Sequence, residues 1–165
     1  MTEHLQHDEL EKLFASIATA RDRLLARFLY ESGCTVSEAS GLRTTAVRPD
    51  GTVQFPDRKA VISPGLASEL LQQAGTHVFH TRQTASITAK RIQQILKPYI
   101  SAVHRGKTTP HILRYTHIID AYRRGVQLSA ISQQTGLTSV RLGQILADVP
   151  VQKGYGLFFE KGGKQ

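Results

Sequence analysis

The 165-residue chain, with 40% hydrophobic residues, is long enough for one compact domain with a sizeable core. Its formal net charge of +8 predicts an acidic partner, with nucleic acid first. The single cysteine, Cys34, excludes an intramolecular disulfide framework and fits a reducing cytoplasm. No signal peptide is visible, and no apolar run approaches the roughly 18 residues that a membrane span needs.

The pattern near the front of the chain predicts two helices and a small sheet. Apolar residues at helical spacing indicate a helix over 9–32 that ends at Gly33. Thr35-Val36-Ser37-Glu38 has the form of a capping box, which predicts a short helix up to Gly41 and a structural role for Glu38 rather than a catalytic one. Three strands are then predicted over 44–48, 52–55 and 59–63, with turns at Pro49-Asp50-Gly51 and Pro56-Asp57.

The second half reads as helical. A serine cap and proline, Ser63-Pro64, start a helix to Gly75, and a short extended piece is predicted over 77–79. A further helix is predicted over 86–104, where Pro98 should kink or break it. Another is predicted to start with a threonine cap and proline, Thr109-Pro110, and to run to Gly125. Two shorter ones, over 128–135 and 138–147, surround Gly136, and a loosely ordered glycine-rich tail follows, in which Leu157-Phe158-Phe159 is a candidate docking segment.

These elements predict a mainly α domain with a small antiparallel β-sheet (α+β). We divide the chain into an acidic N-terminal helical segment (1–20), a central domain (21–149) and a C-terminal tail (150–165).

Positive charge is concentrated in residues 77–126, which hold nine Lys and Arg against the single acid Asp120. The net charge of this block alone equals that of the whole chain, +8. A solvated helix face usually mixes both signs, so the pattern favours nucleic-acid contact. The residues predicted to contact phosphates here are Arg82, Lys90, Arg91, Lys97, Arg105 and Lys107.

Within that block, His111 and Arg114 lie three apart just inside the predicted start of a helix. This spacing puts both side chains on one face, beside backbone N–H groups that favour anions. The pair is therefore suited to hold one phosphate.

The chain resembles the catalytic domain of the tyrosine recombinases, the phage integrase family, over roughly residues 20–149. The segment 32–42 is similar to the family's Thr-Gly-Leu-Arg-hydrophobic-Ser-Glu box, and 110–116 follows its His-x-Leu-Arg-His-Thr box. Val78-Phe79-His80 and the basic helix occupy the expected places between them. Gly136-Leu137-Thr138-Ser139-Val140, followed by Gln144-Ile145-Leu146, is similar to the last box.

The resemblance implies which residues stand at the family's active-site positions. The family attacks a DNA phosphodiester with a tyrosine and forms a 3′-phosphotyrosyl link, assisted by two arginines, a lysine and two histidine-like groups. Here Thr35 stands at the first arginine, Leu137 at the second histidine and Leu146 at the nucleophile. The lysine is matched by Arg58 or Lys59. Only His111 and Arg114 clearly keep the family's residue types.

These replacements predict an inactive relative, because the loss of one donor to a developing oxyanion typically costs about 10²–10³ in rate and the loss of the nucleophile removes the covalent route. We expect a double-stranded DNA-binding pseudoenzyme, a regulator or accessory factor of DNA recombination or integration in a mobile element, plasmid or phage. A homodimer or a full-length recombinase is the expected protein partner. Its predicted DNA-binding residues are His111, Arg114, Arg82, Lys90, Arg91, Lys97, Arg105, Lys107 and Lys59.

No cofactor or metal is expected, since no Cys/His spacing forms a ligand set. Three alternatives stay open. The first is an active recombinase that uses a relocated tyrosine, Tyr155. The second is a helix-turn-helix regulator over 128–142, with Thr138, Ser139, Arg141 and Gln144 facing a major groove. The third is an interaction module that regulates a full-length recombinase through the tail or the acidic residues 3–11; the nearby apolar stripe of Leu5, Leu10, Leu13 and Phe14 can equally dock on the chain's own core.

Overall fold

A computed structural model describes residues 2–150, which form eight α-helices and one two-stranded antiparallel sheet. The predicted mainly α fold with a small antiparallel sheet is therefore confirmed. The front half comprises α1 (His7–Ser16), α2 (Ala20–Ser32), α3 (Val36–Ser40), β1 (Thr52–Gln54), β2 (Lys59–Val61) and α4 (Pro64–Gln73). The second half comprises α5 (Ala89–Val103), α6 (His111–Arg123), α7 (Leu128–Thr135) and α8 (Ser139–Leu146).

The helix predicted over 9–32 is in fact two helices, so that prediction is wrong. The chain leaves the helical conformation at Ile17, and Thr19 starts α2 by accepting a hydrogen bond from the Asp22 N–H. Local capping thus overrides the continuous apolar spacing. Gly33 ends α2 in the left-handed conformation, as predicted.

The first of the three predicted strands is also wrong. Residues Thr44–Ala46 form a 3₁₀ helix, and only Val47 pairs with the sheet, through an isolated bridge to Val53. The Thr44 N–H donates to the Thr76 carbonyl and therefore does not pair with β1. The predicted extended piece at 77–79 makes a single bridge, between Arg43 and His77.

The starts of α5 and α6, and the course of α5 at Pro98, differ from the prediction. Helix α5 begins after Thr88 and continues through Pro98, so the predicted break is absent, while a kink at the proline stays a prediction. Three fully buried residues on its inner face, Ile92, Leu96 and Ile100, anchor it on both sides of the proline. At α6, Pro110 occupies the N-cap position with no side-chain cap, so the predicted Thr109 cap is wrong.

Two clusters of buried residues form the core. The larger joins α1 to α5, the sheet and the first turn of α6, and the smaller lies among α6, α7 and α8. Leu5, Leu10 and Leu13 belong to the larger cluster, and Phe14 packs against it. The apolar stripe near the N-terminus therefore docks on the chain's own core.

The Gln134 side chain joins α7 to the sheet. Its amide nitrogen donates to the Val61 carbonyl at 2.7 Å, and its oxygen accepts from the Val61 N–H at 2.9 Å. The same nitrogen lies within 3.3 Å of the Ser32 carbonyl at the end of α2. This one side chain positions α7 beside β2 and α2.

Of the helices in residues 2–150, none is both long and apolar enough to cross a membrane. Tyr155 and Leu157-Phe158-Phe159 lie outside the described residues. The predicted division at residues 20 and 149 stays a prediction.

Candidate phosphate-binding site

His111 is the first residue of α6 and is half-buried. Its Nε2 atom is buried and has no hydrogen-bond partner within residues 2–150. Burial and the nearby Arg114 charge both lower the pKa of His111, so the imidazole is neutral at pH 7. A neutral imidazole can donate one hydrogen bond to a phosphate oxygen.

Arg114 lies one turn further along α6, and its side chain is 11% exposed. Its Nη1 donates to the Gly33 carbonyl at 3.1 Å and lies 3.7 Å from Oε1 of Glu38. Burial lowers the pKa of Arg114, the Glu38 carboxylate opposes that shift, and Arg58 adds to it. The guanidinium, which stays charged, is thus fixed by a backbone carbonyl and only loosely by an acid.

Glu38 sits at the centre of this cluster. It completes the predicted capping box, in which its Oε1 accepts from the Thr35 N–H at 2.9 Å while the Thr35 hydroxyl accepts from the Glu38 N–H. Arg58 adds two charged hydrogen bonds, of 2.6 Å to Oε2 and 3.1 Å to Oε1. Burial alone would raise the pKa of Glu38, but these bonds outweigh it and hold that pKa below its usual range. Glu38 is therefore an ionised structural residue.

Arg58 is the residue of this cluster whose burial the sequence did not predict. Its side chain is 5% exposed, and it donates from Nε to the Gln134 carbonyl at 3.0 Å as well as to Glu38 and Asp57. The guanidinium carbon lies 4.5 Å from the centroid of the Phe55 ring. A Cβ atom at Gly136 would lie 2.8 Å from Nη1, so the glycine permits this close approach. Of the two candidates for the strand-turn lysine, only Lys59 is exposed.

The three positions that the resemblance predicts to be replaced have clear structural roles. Thr35 is the N-cap of α3 and reaches Glu38. Leu137 is half-buried against the α6–α8 cluster, next to the glycine that contacts Arg58. Leu146 is 6% exposed and belongs to that cluster, so its side chain serves packing.

The predicted basic residues lie on the surface. Lys90, Arg91 and Lys97 are exposed on α5, and Lys90 and Lys97, seven positions apart, share one helix face. Arg82, Arg105 and Lys107 are exposed in the flanking loops. Lys107 lies near the Glu3 carboxylate, which accepts from its backbone N–H and whose pKa the Lys107 charge helps to lower. No acid of residues 2–150 forms an ion pair with the other five side chains. Their contact with DNA stays a prediction.

Helix α8 presents a second exposed surface. Thr138 caps it by accepting from the Arg141 N–H, while Leu142 and Ile145 are buried beneath it. The other side is exposed and includes Val140, whose side chain is unusually open for an apolar residue at 75%. The four residues of the helix-turn-helix alternative, Thr138, Ser139, Arg141 and Gln144, all lie on this exposed side.

Within the described range, no group of three or more His, Cys, Asp or Glu residues is arranged to hold a metal ion.

Comparison with known proteins identifies the fold. No family model matches the chain. The crystal structure of XerA recombinase superposes with a TM-score of 0.79 at 19% identity, over 100% of this chain and 64% of that one. XerH site-specific recombinase, bound to its difH substrate in a pre-cleavage complex, gives 0.75 at 18% identity, over 89% of this chain and 50% of that one.

The lambda integrase catalytic core gives a TM-score of 0.63 at 14% identity, over 79% of this chain and 93% of the core. The chain thus spans 64% and 50% of the two Xer recombinases but matches nearly all of an isolated catalytic core. It has the fold of a tyrosine-recombinase catalytic domain.

Proposed function

We propose that this chain is a catalytically inactive, tyrosine-recombinase-like protein that binds double-stranded DNA and acts as a regulator or accessory factor of a mobile element, plasmid or phage in the cytoplasm. The observation that carries the proposal is the His111–Arg114 pair. An unpartnered buried imidazole nitrogen lies beside a largely buried, loosely paired guanidinium. A phosphate would satisfy both groups through charge-assisted hydrogen bonds.

The surrounding charge supports the same ligand. Six exposed cations lie on α5 and its flanking loops, and five of them, all except Lys107, have no ion pair to residues 2–150. Such groups supply sequence-independent contacts to a DNA backbone. XerH was crystallised with its difH substrate, which makes duplex DNA the natural ligand to test.

The inactivity part of the proposal rests on side-chain chemistry. Leu146 has no hydroxyl and is held in the core, Leu137 cannot donate a hydrogen bond, and Thr35 is engaged in capping α3. Because preorganised donors each contribute about 10²–10³ in rate, two absent donors and an absent nucleophile leave no effective route to strand cleavage.

Binding is tested by its dependence on salt. With about five phosphate contacts, we expect log affinity for a duplex to fall against log salt with a slope of about −4 to −5. Fluorescence anisotropy with a labelled duplex measures the slope. The double variant Lys90→Ala/Lys97→Ala should make it shallower by about 2, because each lost contact removes about 0.9. Lys12→Ala, on the exposed side of α1, is the matched control and should leave the slope unchanged. A flat salt response of the unmodified protein contradicts DNA binding.

Inactivity is tested with a nicked suicide substrate, in which a covalent product is trapped when the 5′-hydroxyl strand diffuses away. We expect no denaturation-resistant protein–DNA adduct after gel electrophoresis. An adduct that disappears in Tyr155→Phe would instead establish the active-recombinase alternative with a relocated tyrosine. This experiment therefore decides between an inactive protein and an active recombinase that uses Tyr155, a residue outside the described range.

A second DNA-binding surface is favoured by one observation, the exposed side of α8 with Val140 at its first turn. In a helix-turn-helix arrangement, polar residues of the second helix contact base edges and an apolar side chain contacts thymine methyl groups. Sequence-selective binding that Arg141→Ala abolishes would favour this arrangement. A chain with no DNA affinity that captures a full-length recombinase would favour the interaction module.

A further inference from the structure

We propose that Arg58 is a positioning residue: it occupies the Glu38 carboxylate so that the Arg114 guanidinium stays available to a phosphate. The inference rests on the proposed function, since it concerns the same phosphate site. The resemblance places the family's lysine at Arg58 or Lys59, in the turn between β1 and β2, whereas this inference gives Arg58 a different role, exerted through Glu38.

Glu38 has little capacity left for Arg114. Its Oε2 accepts from Arg58 at 2.6 Å, and its Oε1 accepts from Arg58 at 3.1 Å and from the backbone and hydroxyl of Thr35 at 2.9 and 3.2 Å. The closest Arg114 nitrogen lies 3.7 Å away, beyond a hydrogen bond. Arg58 therefore makes the short, charged bonds, and Arg114 keeps only a weak electrostatic contact.

Arg114 consequently has unused donors. Within residues 2–150 the only hydrogen bond of its side chain runs from Nη1 to the Gly33 carbonyl. A guanidinium carries five N–H donors, so those of Nε and Nη2 remain for a ligand. Arg114, which carries these donors, stands three positions after His111, whose Nε2 has no partner within residues 2–150. The geometry is that of a cation kept in place but not neutralised.

Arg58 itself is poorly placed to bind the phosphate. Its side chain is 5% exposed, lies against Phe55 and Gly136, and has its donors used by Glu38, Asp57 and the Gln134 carbonyl. Binding a ligand would require it to break several of these bonds. Its effect on a phosphate is thus exerted through Glu38.

Without Arg58, the nearest remaining cation to Glu38 is Arg114. A half-buried carboxylate that has lost its partner is unstable, so we expect Arg114 to turn from the ligand side toward Glu38. A direct pair between them would consume the donors that a phosphate needs.

The test is a set of charge-matched variants assayed for duplex affinity by anisotropy. Arg58→Ala should weaken binding about tenfold, the loss expected when a charge-assisted hydrogen bond to phosphate is withdrawn. Arg58→Ala/Glu38→Gln should restore affinity to within roughly threefold, because the neutral amide no longer attracts Arg114 while its oxygen still caps α3. Arg27→Ala, which removes a cation of α2 that is paired with Glu69 of α4, controls for net charge and should change affinity by roughly twofold or less.

A second cycle separates positioning from a merely structural role. In an Arg114→Ala background, Arg58→Ala should change affinity by roughly threefold or less, since the group that it positions is gone. Thermal unfolding establishes that each variant is folded at the assay temperature, and Arg58→Gln replaces Arg58→Ala wherever the alanine variant is not.

The outcomes are distinct. If the unmodified protein binds DNA but Glu38→Gln does not rescue Arg58→Ala, or the loss is equally large without Arg114, Arg58 is a direct ligand or a structural residue and the inference fails. If the unmodified protein shows no salt-dependent affinity for duplex DNA, the proposed function fails instead, and this inference fails with it.

Discussion

Gly33→Ala is expected to lower the free energy of unfolding by about 2 to 4 kcal/mol. Gly33 has a φ of +67°, which is strained for alanine, and a Cβ atom there would lie 2.6 Å from Cδ2 of His117 and 3.0 Å from Cγ2 of Thr135. These neighbours come from α6 and α7, so relief of the overlap would separate helices that pack against the end of α2. Urea unfolding followed by circular dichroism measures the loss.

Gly65→Ala is the matched control for that substitution. Gly65 lies inside α4 with an ordinary helical backbone and no atom within 4 Å of a built Cβ. The same change should therefore stabilise the protein by about 0.5 to 1 kcal/mol through helix propensity and unfolded-state entropy. If Gly33→Ala and Gly65→Ala changed the free energy of unfolding equally, the overlap at Gly33 would have to be relieved without cost, which would contradict the prediction.

Acidification from pH 7 to 4.5 is expected to remove about 2 to 3 kcal/mol of stability through His117 alone. Burial lowers the pKa of His117 to about 4; a hydrogen bond to the Tyr30 backbone opposes this, and the charges of Arg124 and Arg114 add to it. The unfolded chain, with a histidine pKa near 6.5, binds more protons than the folded chain between these values. Stability is complete above about pH 6.5 and falls as the pH drops toward 4.

Urea unfolding at a series of pH values measures this dependence. His117→Gln should flatten most of the slope between pH 6.5 and 4.5, whereas His7→Gln, at an exposed position on α1, should not. A residual slope of the same sign is expected from His111, whose pKa is also lowered by burial and by Arg114. An unchanged slope in His117→Gln would contradict the burial of a neutral imidazole.

The parts of the fold that were predicted correctly rest on strong local signals. Ser63-Pro64, the Thr35–Glu38 capping box and the Gly33 and Gly136 helix ends all appear in the structure as expected. Each satisfies backbone groups within a few residues, so sequence order suffices to find it. The helix break at 17–19 was missed because the apolar spacing continues across the Thr19 cap, and the 3₁₀ turn at 44–46 was missed because a distant partner, the Thr76 carbonyl, accepts from the Thr44 N–H.

The site was only partly predictable for a different reason. His111 and Arg114 share one helix turn, so their proximity follows from spacing alone. The pair of Arg58 and Glu38 joins residues twenty positions apart across a turn and a short helix. A buried arginine between Asp57 and Lys59 looks like part of a charged surface turn, and no local pattern indicates that it folds inward. Only the packing of α7, through Gln134 and Gly136, makes its burial evident.

The Gln134 amide also bears on how copies of this chain can associate. By accepting from the N–H and donating to the carbonyl of Val61, it does for β2 what a neighbouring strand would do. On the opposite side of the sheet, Val47 bridges to Val53, and the Arg48 N–H donates to the Thr52 carbonyl. Unpaired strand edges are the usual template for edge-to-edge aggregation, and both edges here are occupied. Within residues 2–150, these contacts oppose the addition of an intermolecular strand at Val61 and at Thr52.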